Sequence, residues 1–209
     1  MSGLSGIGVI WAFSSFISSV ALCVGYFMPY WITGQMFIQN NGKSGQTVPV
    51  SFGIFRRCNY PAINDDGQIE IVHECGRYKT FTDIPSTSWQ IATLVIGLAC
   101  CLCLLVSLTA MFGVCVKGVV IPTVARTAGI LQLCSGLLLT AGVGIYPNGF
   151  GSPEIQQACG NTSSSYHLGD CSLSWCFYMT CAAVGVTFVC SALAFHAPKR
   201  KQVVGGYAM

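Results

Sequence analysis

The sequence predicts an all-α membrane protein, a four-transmembrane-helix bundle that carries a small disulfide-stapled extracellular β-sheet. Only 8% of the 209 residues are charged, whereas a soluble domain carries about 25%. Four uncharged runs are each longer than the roughly 20 residues that a helix needs to cross a bilayer. Two polar segments between these runs hold all 7 acidic residues and two cysteines each. Lipid is therefore the main solvent of the chain, and the polar segments form the sheet outside it.

The apolar parts of the uncharged runs place the transmembrane helices. They predict helices at about residues 6–28, 89–116, 128–146 and 173–195 within a single tetraspan domain, residues 1–209. A cleaved signal peptide is the alternative for the first helix, but neither Lys nor Arg precedes its apolar run. Buried core helices do not fit the other three runs, which are too long and completely uncharged.

The distribution of charges predicts the orientation of the helices. The segment 117–127 and the tail 196–209 contain Lys and Arg but no acid, as cytoplasmic segments do. The extracellular loops are then residues 31–88 and 147–172, and both termini are cytoplasmic. The glycosylation sequon at Asn161 falls in the second of these loops. We expect an integral protein of the plasma membrane, glycosylated at Asn161.

Four of the 13 cysteines lie in the extracellular loops. The oxidising environment outside the cell predicts that they form two disulfides. Four cysteines allow three pairings, which the sequence alone does not separate. We favour Cys58 with Cys75 and Cys159 with Cys171, because each pair closes a short loop.

The remaining cysteine chemistry has several interpretations. His73 and Glu74, beside Cys75, make a metal site the alternative to a disulfide, but no CxxC pair occurs and extracellular thiols oxidise. The nine cysteines inside the predicted helices are small packing residues. Cys115 and Cys190, near the cytoplasmic side, are candidates for palmitoylation.

The first extracellular loop contains strand patterns. Residues 48–56 are rich in β-branched and aromatic residues, and residues 68–74 partly alternate between apolar and polar. A turn signal lies between them at residues 64–67, and residues 31–37 supply a further strand. Because so few strands do not fold alone, we expect the sheet to rest on the helix ends and on the second loop.

Inside the predicted helices, small residues spaced four apart indicate faces that contact each other in the bundle, or a partner protein as the alternative for at least one of them. These faces are Ser15, Ser19 and Cys23; Gly97 and Cys101; Gly136, Thr140 and Gly144; and Ala183, Thr187 and Ser191. Gln132 is the most polar side chain at depth and predicts a hydrogen bond between helices. Aromatic residues predict the membrane interfaces. They are Tyr26, Tyr30, Trp31, Trp89, Tyr146 and Trp175 on the outer side, with Trp11 and Phe112 on the inner side.

The composition argues against several functions. No ionisable residue lies deep in a predicted helix, although transporters and pumps usually place some there. The chain has only 3 histidines, and none has a spaced set of catalytic or metal-binding partners. We therefore expect a protein that is not an enzyme, without a cofactor, a small-molecule substrate or a nucleic-acid partner.

The first extracellular loop contains an ordered set of residues: Trp31, Gly53, Ile54, Phe55, Cys58 and Cys75. This set resembles the W…GLW…C…C signature of the claudin superfamily, with phenylalanine in place of the second tryptophan. Seven stretches follow one another along the chain: MPYW (28–31), FGIFRRCNYP (52–61), ECGRY (74–78), IPSTSW (84–89), YPNGF (146–150), CGNTS (159–163) and LGDCSLSW (168–175). They are similar, in this order, to motifs of the LHFPL (lipoma HMGIC fusion partner-like) tetraspan family. FRRCxYP and ECGRY resemble its founding branch, whereas Phe150 stands where the family usually has tryptophan.

The resemblance implies a four-helix bundle with a claudin-like extracellular sheet and no catalysis. Better-understood relatives are auxiliary subunits: one accompanies the mechanotransduction complex of inner-ear hair cells, and another anchors GABA-A receptors through neuroligin. The leading expectation is therefore an auxiliary or scaffolding subunit that binds a channel or receptor. The alternative is a claudin-like protein of cell–cell adhesion or barrier formation.

Two parts of the sequence are candidates for partner contact. Arg56 and Arg57 form an outward contact patch in one interpretation and a solvated face in the other. The acids that would balance such a solvated face are Asp65, Asp66, Glu70 and Glu74. At the C-terminus, Tyr207, Ala208 and Met209 have the hydrophobic-x-hydrophobic pattern that some PDZ domains bind by strand addition.

Overall fold

Four long apolar helices form the body of the protein, as the uncharged runs predict. The computed structural model describes residues 4–38, 46–63, 69–116 and 118–197. Its helices are α1 (Gly6–Phe27), α2 (Thr87–Cys115), α3 (Pro122–Ile145), the short α4 (Pro153–Cys159) and α5 (Trp175–Ala194). All but α4 are long and apolar enough to cross a membrane, and they pack in a ring in the order α1, α2, α3, α5. Outside the described residues lie the turn at residues 64–67, Lys117, the basic run of Lys199, Arg200 and Lys201, and the C-terminal Tyr207, Ala208 and Met209.

The limits of the helices follow their capping residues and differ from the predicted limits mainly at α3. Serine side chains cap the starts of α1 and α2. α3 begins at Pro122 rather than at residue 128, because proline fits the first turn of a helix. Arg126 therefore lies within α3, and the predicted loop at residues 117–127 was too long.

Polar side chains inside the bundle bind one another or backbone carbonyls. Gln132 of α3 accepts a hydrogen bond from Trp11 Nε1 at 2.9 Å and donates one to Ser15 Oγ at 2.8 Å, both on α1. Ser19 of α1 donates to the carbonyl of Cys103 on α2 at 3.0 Å. The interhelical hydrogen bond predicted for Gln132 is confirmed, and these contacts fix how α1 is rotated against its neighbours.

The predicted small-residue faces pack inside the bundle only in part. The buried members are Ser15, Ser19, Gly136, Ala183, Thr187 and Ser191. Cys101, Thr140 and Gly144 are instead exposed on the surface of the bundle. These three therefore do not make the contact within the bundle, because a spacing of four does not say which face turns inward, and the alternative of a partner contact stays a prediction.

The polar segments at one end of the bundle form an antiparallel sheet of five strands in the described part of the chain. The strands are β1 (Ile32–Ile38), β2 (Gln46–Phe52), β3 (Arg56–Ile63), β4 (Ile69–Arg77) and β5 (Ser172–Leu173). Their order is β4-β3-β2-β1-β5, so the short β5 brings the second predicted loop into the sheet formed by the first. We call this end of the bundle the sheet end, and the end with the α2–α3 connection the opposite end.

The strand predicted at residues 48–56 was wrong in its limits. β2 ends at Phe52, and β3 begins at Arg56 after a tight turn. The turn is closed by the backbone N–H of Gly53, which donates to the carbonyl of Arg56 at 2.7 Å. Ile54 in this turn is fully buried, which is why the apolar pattern continued through it like that of a strand.

Half of the eight aromatic residues assigned to the membrane interfaces lie inside the protein. The fully buried ones are Trp11, Trp31, Trp89 and Tyr146. The interface prediction was wrong for these four, because other parts of the protein, such as α3 at Trp11, cover them in place of lipid headgroups. Trp175 and Phe112 are exposed, in the position that an interfacial residue requires.

The second predicted loop is more ordered than its sequence suggested. α3 continues into a 3-10 helix, Tyr146–Gly151, which leads directly into α4. The end of this loop packs on β1, where a Cβ at Gly34 would overlap the sulfur of Cys171. A side chain at Gly34 would therefore displace the second loop from the sheet.

Candidate functional site

A fully buried indole joins the sheet to the bundle. Trp31 comes between α1 and β1, and its Nε1 donates to the carbonyl of Gly25 at 2.7 Å. Its ring centroid lies 4.7 Å from that of Tyr146 and 5.5 Å from that of Phe177. This residue of the claudin-like signature therefore contacts α1, the extension of α3 and α5 together, which fixes the direction in which the sheet leaves the bundle.

The turn between β2 and β3 presses against the end of α1. A Cβ at Gly53 would lie 2.7 Å from the carbonyl oxygen of Met28 and 2.8 Å from Cα of Pro29. The ring of Phe55 packs against Tyr26, with centroids 4.9 Å apart. Both signature positions therefore serve the joint between the sheet and the bundle.

Replacing Gly53 with alanine is expected to lower the free energy of unfolding by about 1–3 kcal/mol, because the new methyl group meets backbone atoms that cannot move aside easily. Chemical denaturation of the purified protein in detergent measures this loss. Gly76→Ala in β4 is the matched control, since a Cβ there meets no atom within 4 Å. Equal losses for the two variants would contradict the close approach at Gly53.

Arg57 connects the first and second predicted loops through its contacts with three other side chains. Its guanidinium forms an ion pair with Glu154 of α4 and lies over the rings of Tyr60 and Tyr78, 3.6 and 4.4 Å from their centroids. The hydroxyl of Tyr78 donates to the other carboxylate oxygen of Glu154 at 3.3 Å. The side chains of the ion pair are only 21% and 13% exposed. We call Arg57, Tyr60, Tyr78 and Glu154 the loop clamp.

Burial is the main influence on the pKa values of Glu154 and Tyr78 in the loop clamp. It raises the pKa of Glu154 above its ordinary value, although the ion pair with Arg57 and the hydrogen bonds from Arg57 and Tyr78 act in the opposite direction. Burial also raises the pKa of Tyr78 well above its ordinary value. The hydroxyl of Tyr78 is therefore protonated and available as the donor to Glu154.

The predicted contact patch divides into two roles. Arg57 is held inside the loop clamp, and its partner Glu154 was not among the acids considered for it. Arg56 is half-buried, and its Nη1 donates to the carbonyl of Phe27 at 3.3 Å. Arg57 is thus held mainly by contacts within the protein, and the partner contact at Arg56 stays a prediction.

Two disulfides fasten the sheet end. One joins Cys58 of β3 to Cys75 of β4 directly across the strands, with Cα atoms 4.1 Å apart. The other joins Cys159 at the end of α4 to Cys171 beside β5. These are the two pairs favoured from the sequence. Because Cys75 is bonded, the alternative metal site loses its thiolate, and no group of three or more metal-binding side chains occurs among the described residues.

The predicted modification sites differ in accessibility. Asn161 is exposed in the loop that the second disulfide closes, and its glycosylation stays a prediction. Ser163 of the same sequon is buried and donates to the carbonyl of Leu168 at 3.1 Å. Cys190 is fully buried, so the palmitoylation predicted there was wrong. Cys115 is exposed at the end of α2, where such a modification stays a prediction.

Sequence reasoning missed three members of the loop clamp. Tyr60 and Tyr78 belong to the stretches FRRCNYP and ECGRY, and Glu154 is the first charged residue of the second loop. Each was therefore visible as a motif residue or as a rare charge. Their pairing was not, because Arg57 and Glu154 are 97 positions apart in the chain.

Comparison with known proteins connects the chain with one family. The family described as "Lipoma HMGIC fusion partner-like protein" matches residues 7–200. The LHFPL tetraspan subfamily member 2 protein of Homo sapiens is 27% identical over 199 residues, which cover 90% of this chain and 86% of the relative. The member 3 protein of Danio rerio is 28% identical over 190 residues, which cover 90% and 80%. The match reaches across nearly the whole chain, and placement in the founding branch stays a prediction.

Proposed function

Because the chain belongs to the lipoma HMGIC fusion partner-like (LHFPL) family of tetraspan membrane proteins, we propose that it is a non-enzymatic auxiliary or scaffolding subunit of another integral membrane protein, a channel or a receptor. Its sheet end faces the extracellular side of the plasma membrane, and both termini face the cytoplasm. The charges of the full sequence support this orientation. Residues 117–127 and 196–209 contain Lys and Arg but no acid, as cytoplasmic segments do, whereas all 7 acidic residues fall within residues 31–88 and 147–172.

The surface of the bundle supports a binding role. Large apolar side chains cover the outward faces of α1 and α2, as lipid contact requires; examples are Ile10, Ile17, Leu94, Leu98, Leu105 and Phe112. On α3 and α5, this layer of large apolar side chains is interrupted by exposed glycines. A Cβ at Gly144 of α3 or at Gly185 of α5 would meet no atom within 4 Å.

The gap on α5 suits a helix of a partner. Cys181 and Ala182, one turn before Gly185, are also exposed, so three small residues lie close together on the surface. In lipid, where no hydrophobic effect drives helices together, small residues let a second helix approach closely and pack. The open surface at Gly185 is the observation that carries the proposal, and the partner's transmembrane helix packs there.

Replacing Gly185 with leucine is expected to reduce recovery of the partner by about tenfold, the effect of about 1.4 kcal/mol. The larger side chain fills the space that the partner helix needs, while the bundle itself has room for it. Quantitative mass spectrometry of the co-purified complex measures the loss. Gly6→Leu on α1, where a Cβ also meets no atom within 4 Å, is the matched control and should retain the partner. Full recovery with Gly185→Leu would remove α5 from the interface.

The proposal as a whole is tested by mild-detergent purification of the tagged protein from native membranes, with crosslinking and mass spectrometry. A stoichiometric channel or receptor subunit, crosslinked to α5 or to the sheet end, is the expected result. Recovery of this chain alone, crosslinked to itself through the sheet, would support claudin-like adhesion instead and overturn the auxiliary role.

Two further contacts belong to the same proposal. Arg56 is placed for a contact at the sheet end, and Tyr207, Ala208 and Met209 would bind a PDZ domain on the cytoplasmic side. Crosslinks from the same purification that include neither segment would leave both contacts without support.

A further inference from the structure

A cleft opens at the sheet end between α1 and α2. Its volume is about 270 Å³. Its lining includes three aromatic side chains, Tyr26 of α1, Phe55 of the β2–β3 turn and Phe81 of the segment before α2, which we call the apolar wall. The lining also includes Arg77 at the end of β4 and Lys79 two residues after it. We call this space the junction cleft.

The junction cleft carries unbalanced positive charge. Arg77 and Lys79 are both exposed, and neither forms an ion pair in the described part of the chain, where the single ion pair is that of the loop clamp. The nearby carboxylate of Asp83 accepts a hydrogen bond from the backbone N–H of Thr80 at 2.8 Å. Two cations and this one carboxylate leave a net positive charge, which favours an anionic group at Arg77 and Lys79.

The junction cleft lies at the depth of the lipid headgroups. At 1.5 Å per residue, about 20 residues of helix cross the roughly 30 Å hydrocarbon layer. Counting about 20 residues back from Cys115 along α2 reaches Val95, and counting forward from Gly6 along α1 reaches Tyr26. The two counts end at the same level of the bundle, since the hydroxyl of Tyr26 donates to the carbonyl of Thr93, close to Val95, at 3.2 Å. The apolar wall thus begins at the edge of the hydrocarbon layer.

We propose that the junction cleft binds a membrane phospholipid from the leaflet at the sheet end. The phosphate lies between Arg77 and Lys79, where each cation donates a charge-assisted hydrogen bond to a phosphate oxygen. The glycerol and the first part of the acyl chains lie against Tyr26, Phe55 and Phe81. The cleft has room for this part of a lipid, and the rest of the chains continues along the outward faces of α1 and α2.

The combination of walls favours a phospholipid over a soluble anion. A free phosphate needs only the cations and gains nothing from three aromatic rings. A phospholipid matches both parts of the lining, since its phosphate pairs with Arg77 and Lys79 and its acyl chains pack on the apolar wall. Large exposed apolar side chains, among them Phe27, Ile91 and Leu94, continue the apolar wall into the hydrocarbon layer.

Photolabelling of the full-length protein in nanodiscs tests the site. The probe is phosphatidylglycerol with a diazirine in one acyl chain, diluted into phosphatidylcholine. Peptide mass spectrometry is expected to find the label on residues that line the junction cleft. Arg77→Gln together with Lys79→Gln should reduce labelling there by about tenfold, since two hydrogen bonds to a charged group are lost. Arg126→Gln at the opposite end is the matched control and should leave labelling of the cleft unchanged.

Two outcomes would overturn the proposal. The first is wild-type labelling spread evenly over α1 and α2, or unchanged labelling of the cleft in the double variant. The second is displacement of the probe by soluble glycerophosphate, which would show a site for free phosphate esters. The distribution of the label on the wild-type protein shows whether the cleft binds lipid even if the double variant folds poorly.

Discussion

Replacing Trp31 with alanine is expected to lower the free energy of unfolding by about 3–5 kcal/mol, the usual cost of truncating a fully buried aromatic side chain. The indole is completely buried and contacts Tyr146 and Phe177 as well as the carbonyl of Gly25. Its removal leaves a cavity where the sheet meets the bundle and one carbonyl without its donor. Chemical denaturation in detergent micelles measures the loss.

Two variants separate the components of this effect. Trp31→Phe keeps an aromatic ring but loses the Nε1 donor, so we expect a smaller loss that includes about 1 kcal/mol for the hydrogen bond. Trp175→Ala is the matched control, because this tryptophan is 49% exposed and its truncation leaves no internal cavity. A loss for Trp31→Ala no larger than that for Trp175→Ala would show that the sheet is not fastened at this residue.

Replacing Arg57 with alanine is expected to cost about 3 kcal/mol, because it leaves the mostly buried Glu154 without its cation. The neighbouring Arg56→Ala is the control, since Arg56 makes a single exposed hydrogen bond and its removal should cost less than about 1 kcal/mol. The double variant Arg57→Ala with Glu154→Ala should recover part of the loss, because no charge is then left unpaired. Additive losses in this cycle would mean that the two side chains do not interact.

The penalty of Arg57→Ala should also depend on pH. Burial raises the pKa of Glu154 in the folded protein above its value in the unfolded chain, so between these two values the folded state binds more protons than the unfolded state. Lowering the pH through this window therefore favours the folded state. The effect is larger once Arg57 is absent, so the difference from wild type should shrink as the pH falls. A penalty that grows on acidification would contradict this assignment.

Much of the fold could be predicted because it depends on local composition. The absence of charge over runs longer than a bilayer is thick specifies four spanning helices whatever their partners are. The disulfide pairs were favoured because their cysteines are close in the chain. Gln132 could be interpreted because an amide at membrane depth needs a hydrogen-bonding partner, even though the sequence did not say that Trp11 and Ser15 provide it.

The candidate site depended on which distant segments meet. Trp31 matched the pattern of an interfacial residue but lies between the sheet and three helices. From the sequence, Arg57 belonged to a solvated face or to a contact patch, whereas in the structure Glu154 of α4 lies beside it. The junction cleft had no sequence signal, because its two cations and its aromatic wall come from separate elements.

The sequence by itself determined the four spans, the polarity of the segments between them and the family motifs, because hydropathy, charge and spacing are properties of neighbouring residues. Only the tertiary structure decided which aromatic residues face inward, which arginine is held inside and where cations meet an apolar wall. The physical reason is that these features depend on the rotation of each helix and the register of each strand. Both are set by contacts between residues far apart in the chain, such as those of Gln132 with Trp11 and of Arg57 with Glu154.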